Sequence, residues 1–117
     1  MTRTFIELSP FTKAWKQLGL NDAAFEQLQI KILTDPEAGA IIQGSGGIRK
    51  LRFHLPGKGA RGGCRVCSVD FEQFEITYLL TAYAKKDREN LTDAETQQLR
   101  MVVKELQKEA ARRYYHG

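Results

Sequence analysis

The apolar side chains of this chain change their spacing partway along it, and that change restricts the folds open to it. Phe11, Ala14, Trp15 and Leu18, and then Ala24, Phe25, Leu28, Ile32 and Leu33, recur every three or four residues, the repeat of helices with one buried face. From Ile48 to Leu55 the repeat becomes two. Leu51, Phe53 and Leu55 alternate there with Lys50, Arg52 and His54, so one face of the strand is apolar and the other cationic. Helices followed by a run of strands predict an α+β chain.

The rest of the chain fits that scheme. Thr4 to Leu8 reads as an opening strand of β-formers. Ser9-Pro10 predicts a helix start, with serine as the cap and proline in the first turn, and Gly19 ends that helix. Asn21 is suited to cap the second, which runs up to Asp35-Pro36 and forms a hairpin with the first. Gly39 to Gly47 reads as loop. Cys64 to Val69 and Phe74 to Ala84 read as further strands around a turn at Asp70 to Gln73, and short connections predict antiparallel pairing. Thr92 with Glu95 fits a capping box opening a long helix, with Leu99, Val102, Val103, Leu106 and Ala110 as its apolar face. The expected fold is thus α+β: two N-terminal helices packed on a small antiparallel sheet of about four strands, with a C-terminal helix. With 117 residues, 42% of them hydrophobic, the expectation is a single domain over residues 1–117.

Charge is concentrated rather than dispersed. No acidic residue lies between Glu37 and Asp70, a glycine-rich stretch that carries Arg49, Lys50, Arg52, Lys58, Arg61 and Arg65. The formal net charge is +4, and the flanks on either side are each slightly negative, so this stretch holds the whole excess. A local cationic field of this kind attracts polyanions, phosphate backbones above all. No apolar run approaches the roughly twenty residues that span a bilayer, and the N-terminus lacks a cationic-then-apolar signal pattern, so the chain reads as cytoplasmic, with no membrane partner.

Several motifs carry less than they suggest. Gly57-Lys58-Gly59-Ala60-Arg61-Gly62 has the glycine spacing of a dinucleotide fingerprint, but a strand follows it where a helix N-terminus is needed. It reads instead as a hairpin loop presenting Lys58 and Arg61 to phosphates. Cys64 and Cys67 have the spacing of half a zinc site, yet residues three apart on a strand face opposite ways and no second ligand pair is nearby. Neither a metal nor a cofactor is implied. His54 shares a face with Lys50 and Arg52 and is a candidate acid or base. Paired carboxylates are absent from the basic stretch and no serine, histidine and aspartate set is evident, which disfavours hydrolysis by those devices.

The series Gly44-Ser45-Gly46-Gly47-Ile48-Arg49-Lys50-Leu51-Arg52, then Gly57 through Arg65, then Tyr83-Ala84-Lys85-Lys86 with Asn90-Leu91-Thr92 behind it, resembles the HigB-type toxins of the RelE superfamily. That resemblance implies a RelE-like fold and a ribosome-dependent mRNA endonuclease, silenced by a cognate helix-turn-helix, HigA-like antitoxin. The chemistry it implies is attack by the ribose 2′-hydroxyl on the adjacent phosphate, without a metal. By position, Lys50 and Arg52 match the family's basic pair, Arg65 its phosphate-facing arginine, and Lys85 or Lys86 the basic residue closing the last strand. Leu91 and Ser68 stand where some relatives have aromatic residues.

Residue chemistry refines these roles. A lysine crowded by cations has its charged form disfavoured, so Lys50 is the expected general base. Arg52 and Arg65 remain protonated and suit the phosphate oxygens, with Lys85 expected to donate to the leaving group. Arg49, His54, Lys58, Arg61 and Lys86 are expected to hold RNA. Arg65 is expected to be exposed, so that Arg65→Ala changes stability by no more than about 1 kcal/mol. Two other readings share the sequence: a ParE-like toxin that poisons gyrase, and a module that binds nucleic acid without cutting it.

Overall fold

The computed structural model describes residues 2–54 and 63–116. Strand β1 (Thr4–Glu7) leads into helices α1 (Ser9–Gln17) and α2 (Asp22–Thr34). These are followed by β2 (Ala40–Ile41), β3 (Arg49–His54), β4 (Gly63–Phe71) and β5 (Ile76–Ala84), and the chain closes on α3 (Asp93–His116). The strands form one sheet in the order β1-β5-β4-β3-β2. This is the expected α+β architecture, with the α1/α2 hairpin on one face of the sheet and α3 on the other.

The sheet is mixed and has five strands rather than about four antiparallel ones. β2, β3, β4 and β5 pair antiparallel, but β1 runs parallel to β5 in the register Thr4↔Ile76 to Glu7↔Leu79. A short connection fixes the antiparallel pairs. Most of the chain separates β1 from β5, so no turn dictates their direction. The fifth strand, β2, lies in the stretch expected to be loop. Its approach to β3 depends on Gly39, where φ is +92° and an added Cβ would lie 2.7 Å from the Lys50 carbonyl oxygen.

Helix ends follow local chemistry, with one correction. Leu8, not Ser9, occupies the N-cap of α1, because its amide still bonds the Leu79 carbonyl at 2.9 Å and the helix starts directly from the strand; Pro10 lies in the first turn as expected. Gly19 adopts φ +76° behind α1, and the Asn21 side chain accepts from the Ala24 amide at 2.9 Å to cap α2. At α3 the capping box is complete: the Thr92 amide donates to Glu95 Oε1 at 2.8 Å and the Glu95 amide to Thr92 Oγ1 at 3.1 Å. The β4–β5 turn falls later than expected, through a single 3₁₀ turn at Glu72–Phe74 and a left-handed Glu75.

Two hydrophobic layers hold the sheet. Against α1 and α2, Phe11, Trp15, Leu28 and Ile32 pack on Leu51, Phe53, Cys64, Val66, Leu79 and Ala82. Trp15 anchors this layer, with ring centroids 5.3 Å from Phe11 and 5.6 Å from Phe53. Against α3, Val103, Leu106 and Ala110 pack on Ile48, Cys67, Val69, Tyr78, Leu80 and Tyr83. Val102, expected on the buried face of α3, is instead exposed beside Met101.

The β4–β5 ladder carries one irregularity. Cys67 pairs with Thr81 but Ser68 pairs with Leu79, so Leu80 is an extra residue in β5. This bulge shifts the alternation by one, and Leu80 and Tyr83 both fall on the α3 side while Leu79 and Ala82 fall on the other.

Candidate active site

Register brings the basic residues of β3 and β4 together on the α3 side of the sheet. Leu51 and Phe53 point into the α1/α2 layer, so Lys50, Arg52 and His54 point the other way. Arg52 pairs with Arg65, and Arg65 with Tyr83, making one row across three strands. Lys50, Cys67 and Thr81 form the next row on one side. On the other side His54 pairs with Gly63, whose carbonyl accepts from the Lys85 amide at 3.0 Å. The two arginines are therefore flanked by Lys50 on one side and by His54 and Lys85 on the other.

Residues 85–92, between β5 and α3, fold back over this face. Arg65 is only 3% exposed, and its guanidinium donates to both Glu89 carboxylate oxygens, at 3.0 and 3.3 Å. The Glu89 backbone carbonyl accepts from the Tyr83 hydroxyl at 3.1 Å and from Lys50 Nζ at 3.3 Å, and Lys50 donates also to Asn90 Oδ1. Burial, foremost, pushes the Tyr83 phenol up to about 12, so it is a neutral donor at ordinary pH.

Arg88 fixes the far side of this segment. Its guanidinium lies 4.7 Å from the centre of the Tyr83 ring and forks onto Glu95 at 2.6 and 3.0 Å. The Arg88 hydrogen bonds, with those from Thr92, hold the Glu95 carboxyl down at about 2.

Four sequence expectations change. Arg65 is buried and ion-paired, not exposed. Lys50 is not simply crowded by cations, because two oxygen acceptors hold its ammonium group. Arg49 leaves the cluster: it sits on the opposite face, donating to the Glu37 and Gly39 carbonyls at 2.8 and 2.9 Å. The basic stretch, free of acids along the chain, has one in space, Glu89. Lys85 and Lys86 are exposed in the turn after β5. Lys58 and Arg61 lie outside the described residues.

The two cysteines behave as core. Cys64 is buried in the α1/α2 layer and Cys67 in the α3 layer, on opposite faces of β4 as their spacing predicts. Burial pushes both thiols up to about 11.

The chain is thus a sheet flanked by helices on both faces, with a cationic strand face closed by the segment leading to the last helix. It aligns with a free-state structure of an E. coli RelE toxin mutant in which two arginines are replaced by alanine. The TM-score is 0.50 at 15% sequence identity, over 74% of this chain and 87% of that one; at such identity the likeness is one of fold. Residues 3–114 match the family model described as the RelE toxin of the RelE/RelB toxin-antitoxin system. The chain belongs to this family, and it is the toxin of a toxin-antitoxin pair.

Proposed function

We propose that the chain is a HigB-type mRNA endonuclease that acts on ribosome-bound message in the cytoplasm and is silenced by a HigA-like antitoxin. The observation that carries this reading is the Arg52–Arg65 row with Lys50 on one side and His54 and Lys85 on the other. Two guanidinium forks can hold the non-bridging oxygens of one phosphodiester and offset the charge that builds there. Attack and departure take opposite sides of phosphorus, and the proton-transferring groups are so arranged. The 2′-oxygen–phosphorus bond forms, the phosphorus–5′-oxygen bond breaks, and the products are a 2′,3′-cyclic phosphate and a free 5′-hydroxyl.

Both Lys50 contacts are made as a donor, which favours it as the acid that protonates the 5′-oxygen. His54, whose imidazole can take up a proton, is then the base for the 2′-hydroxyl. This reverses the base role expected for Lys50 and leaves Lys85, with Lys86, to hold the RNA strand. No step draws on a metal ion.

The test is to induce the chain in a bacterium and map mRNA 5′ ends. New ends should fall within translated frames and vanish in Arg52→Ala and in Lys50→Met. Loss of DNA supercoiling with intact message would instead establish a gyrase poison. RNA binding without a cut product would establish a non-catalytic module.

A further inference from the structure

Two of the groups named for RNA, Lys50 and Arg65, are engaged, and one short stretch of the chain engages both. Glu89 and Asn90 together contact Arg65, Lys50 and Tyr83. A carboxylate lies against Nη2 of a buried arginine, in reach of the place a phosphate would take. A carbonyl and an amide oxygen take the lysine, and the same carbonyl takes the tyrosine hydroxyl. We propose that the Glu89–Asn90 tip is an internal stand-in for RNA, and that the Glu89 carboxylate must leave Arg65 before a phosphate can reach it. Glu89 then sets how tightly the site takes its substrate.

The two ends of the segment allow such an exchange. At one end the Asp87 and Arg88 amides turn back onto the Ala84 carbonyl at 3.1 and 3.3 Å; at the other the Thr92–Glu95 box and the Arg88–Glu95 fork tie the chain to α3. Among the described residues, the side-chain hydrogen bonds of the tip itself are with the site. Burial is unequal across the ion pair: the Arg65 side chain is 4% exposed and that of Glu89 54%. Glu89 can therefore turn into water at small cost, whereas Arg65 left alone would be a buried charge without a partner. An arriving phosphate supplies that partner, so release of one anion is coupled to capture of another.

The inference rests on the nuclease reading only for naming RNA as the displacing anion. Its test follows the Arg65 Nε–Hε resonance by NMR during titration with inorganic phosphate, and then with a 2′-O-methyl oligoribonucleotide, which cannot be cut. Glu89→Gln keeps an oxygen acceptor for Arg65, and hence the fold, but removes the charge. It should lower the half-saturating concentration at Arg65 by about tenfold, the size expected of one charge-assisted hydrogen-bonded contact. Asp87→Asn removes a charge from the same segment and should change it by no more than about twofold. Glu89→Ala should melt below wild type and recover on adding phosphate, because the ligand restores a partner to Arg65.

Equal shifts in Glu89→Gln and Asp87→Asn would overturn the proposal, as would an Arg65 resonance that ignores phosphate in every variant. So would Glu89→Gln that abolishes message cleavage while phosphate binding stays at the wild-type value, since Glu89 would then belong to the chemistry. If wild type cuts no message but Glu89→Gln still tightens phosphate binding, the nuclease reading falls and the stand-in survives.

Discussion

Replacing Arg65 by two different residues separates what its stem does from what its charge does. The side chain is 4% exposed; Arg65 is paired with Tyr83, shares a strand face with Cys67 and is bonded by Glu89 of the returning segment. In Arg65→Ala the Cγ and Cδ methylenes are lost from a buried position, which at about 0.8 kcal/mol each is about 1.6 kcal/mol. The ion pair adds little to this sum. Glu89 is left behind more than half exposed and returns to water, while the guanidinium no longer bears its desolvation. The expected net loss is about 1.5 kcal/mol, which for a chain of this size lowers Tm by about 6 °C. Arg65→Met keeps an unbranched stem and should lie within about 1 kcal/mol of wild type.

The assay is urea unfolding followed by Trp15 fluorescence, with calorimetry as a second probe, beside cleavage of ribosome-bound message. Both variants should lose cleavage equally. Wild-type stability in Arg65→Ala would show that the stem is not packed. Equal destabilisation by Ala and Met would assign the energy to the pair instead, and full cleavage by Arg65→Met would remove Arg65 from phosphate binding.

Three further outcomes are expected. Gly39→Ala forces a Cβ to 2.7 Å from the Lys50 carbonyl oxygen at a φ of +92°, so it should cost about 2 kcal/mol or more in denaturant unfolding, and it should lower cleavage by moving β3. Glu95 has a folded value of about 2 against an ordinary 4.5, so the native state binds its proton less readily than the unfolded chain. Its stabilisation is complete above the ordinary value and is lost as pH falls from there through about 2. The stability gap between wild type and Glu95→Gln should therefore be constant above about pH 5.5 and close on acidification. Cys64 and Cys67, buried with thiols raised to about 11, should resist a thiol-specific chromogenic reagent at pH 8 and react rapidly in urea; fast labelling of the native protein would contradict their core placement.

The elements that were legible in the sequence are those whose neighbours along the chain determine them. Asn21 caps α2, and Thr92 with Glu95 caps α3, because each partner lies three residues away. The alternation in β3 sorted Leu51 and Phe53 from Lys50 and Arg52 because strand geometry has a period of two. Pairings that cross the chain were not legible. The parallel β1–β5 ladder joins residues with no turn between them to fix its direction. The two residues of β2 form a strand only because Gly39 lets their backbone meet Lys50. The bulge at Leu80 has no signature in an apolar run such as Leu79-Leu80, yet without it the alternation would turn Tyr83 away from Arg65.

The same distinction governs the site. Counting charges along the chain brings Lys50, Arg52 and Arg65 together, because Lys50 and Arg52 share a strand face and Arg65 comes from the strand paired with it, but it misplaces Arg49. It fails for the counter-charge, since Glu89 lies 24 residues from Arg65 and arrives only when the segment after β5 folds back across Tyr83. An acid-free stretch of sequence is thus not an acid-free surface. A face of like charges repels itself, and a fold that carries one gains by supplying its own anion. What a charge count can find is where cations gather; which anion already sits among them is visible only once the strands and the returning segment are assembled.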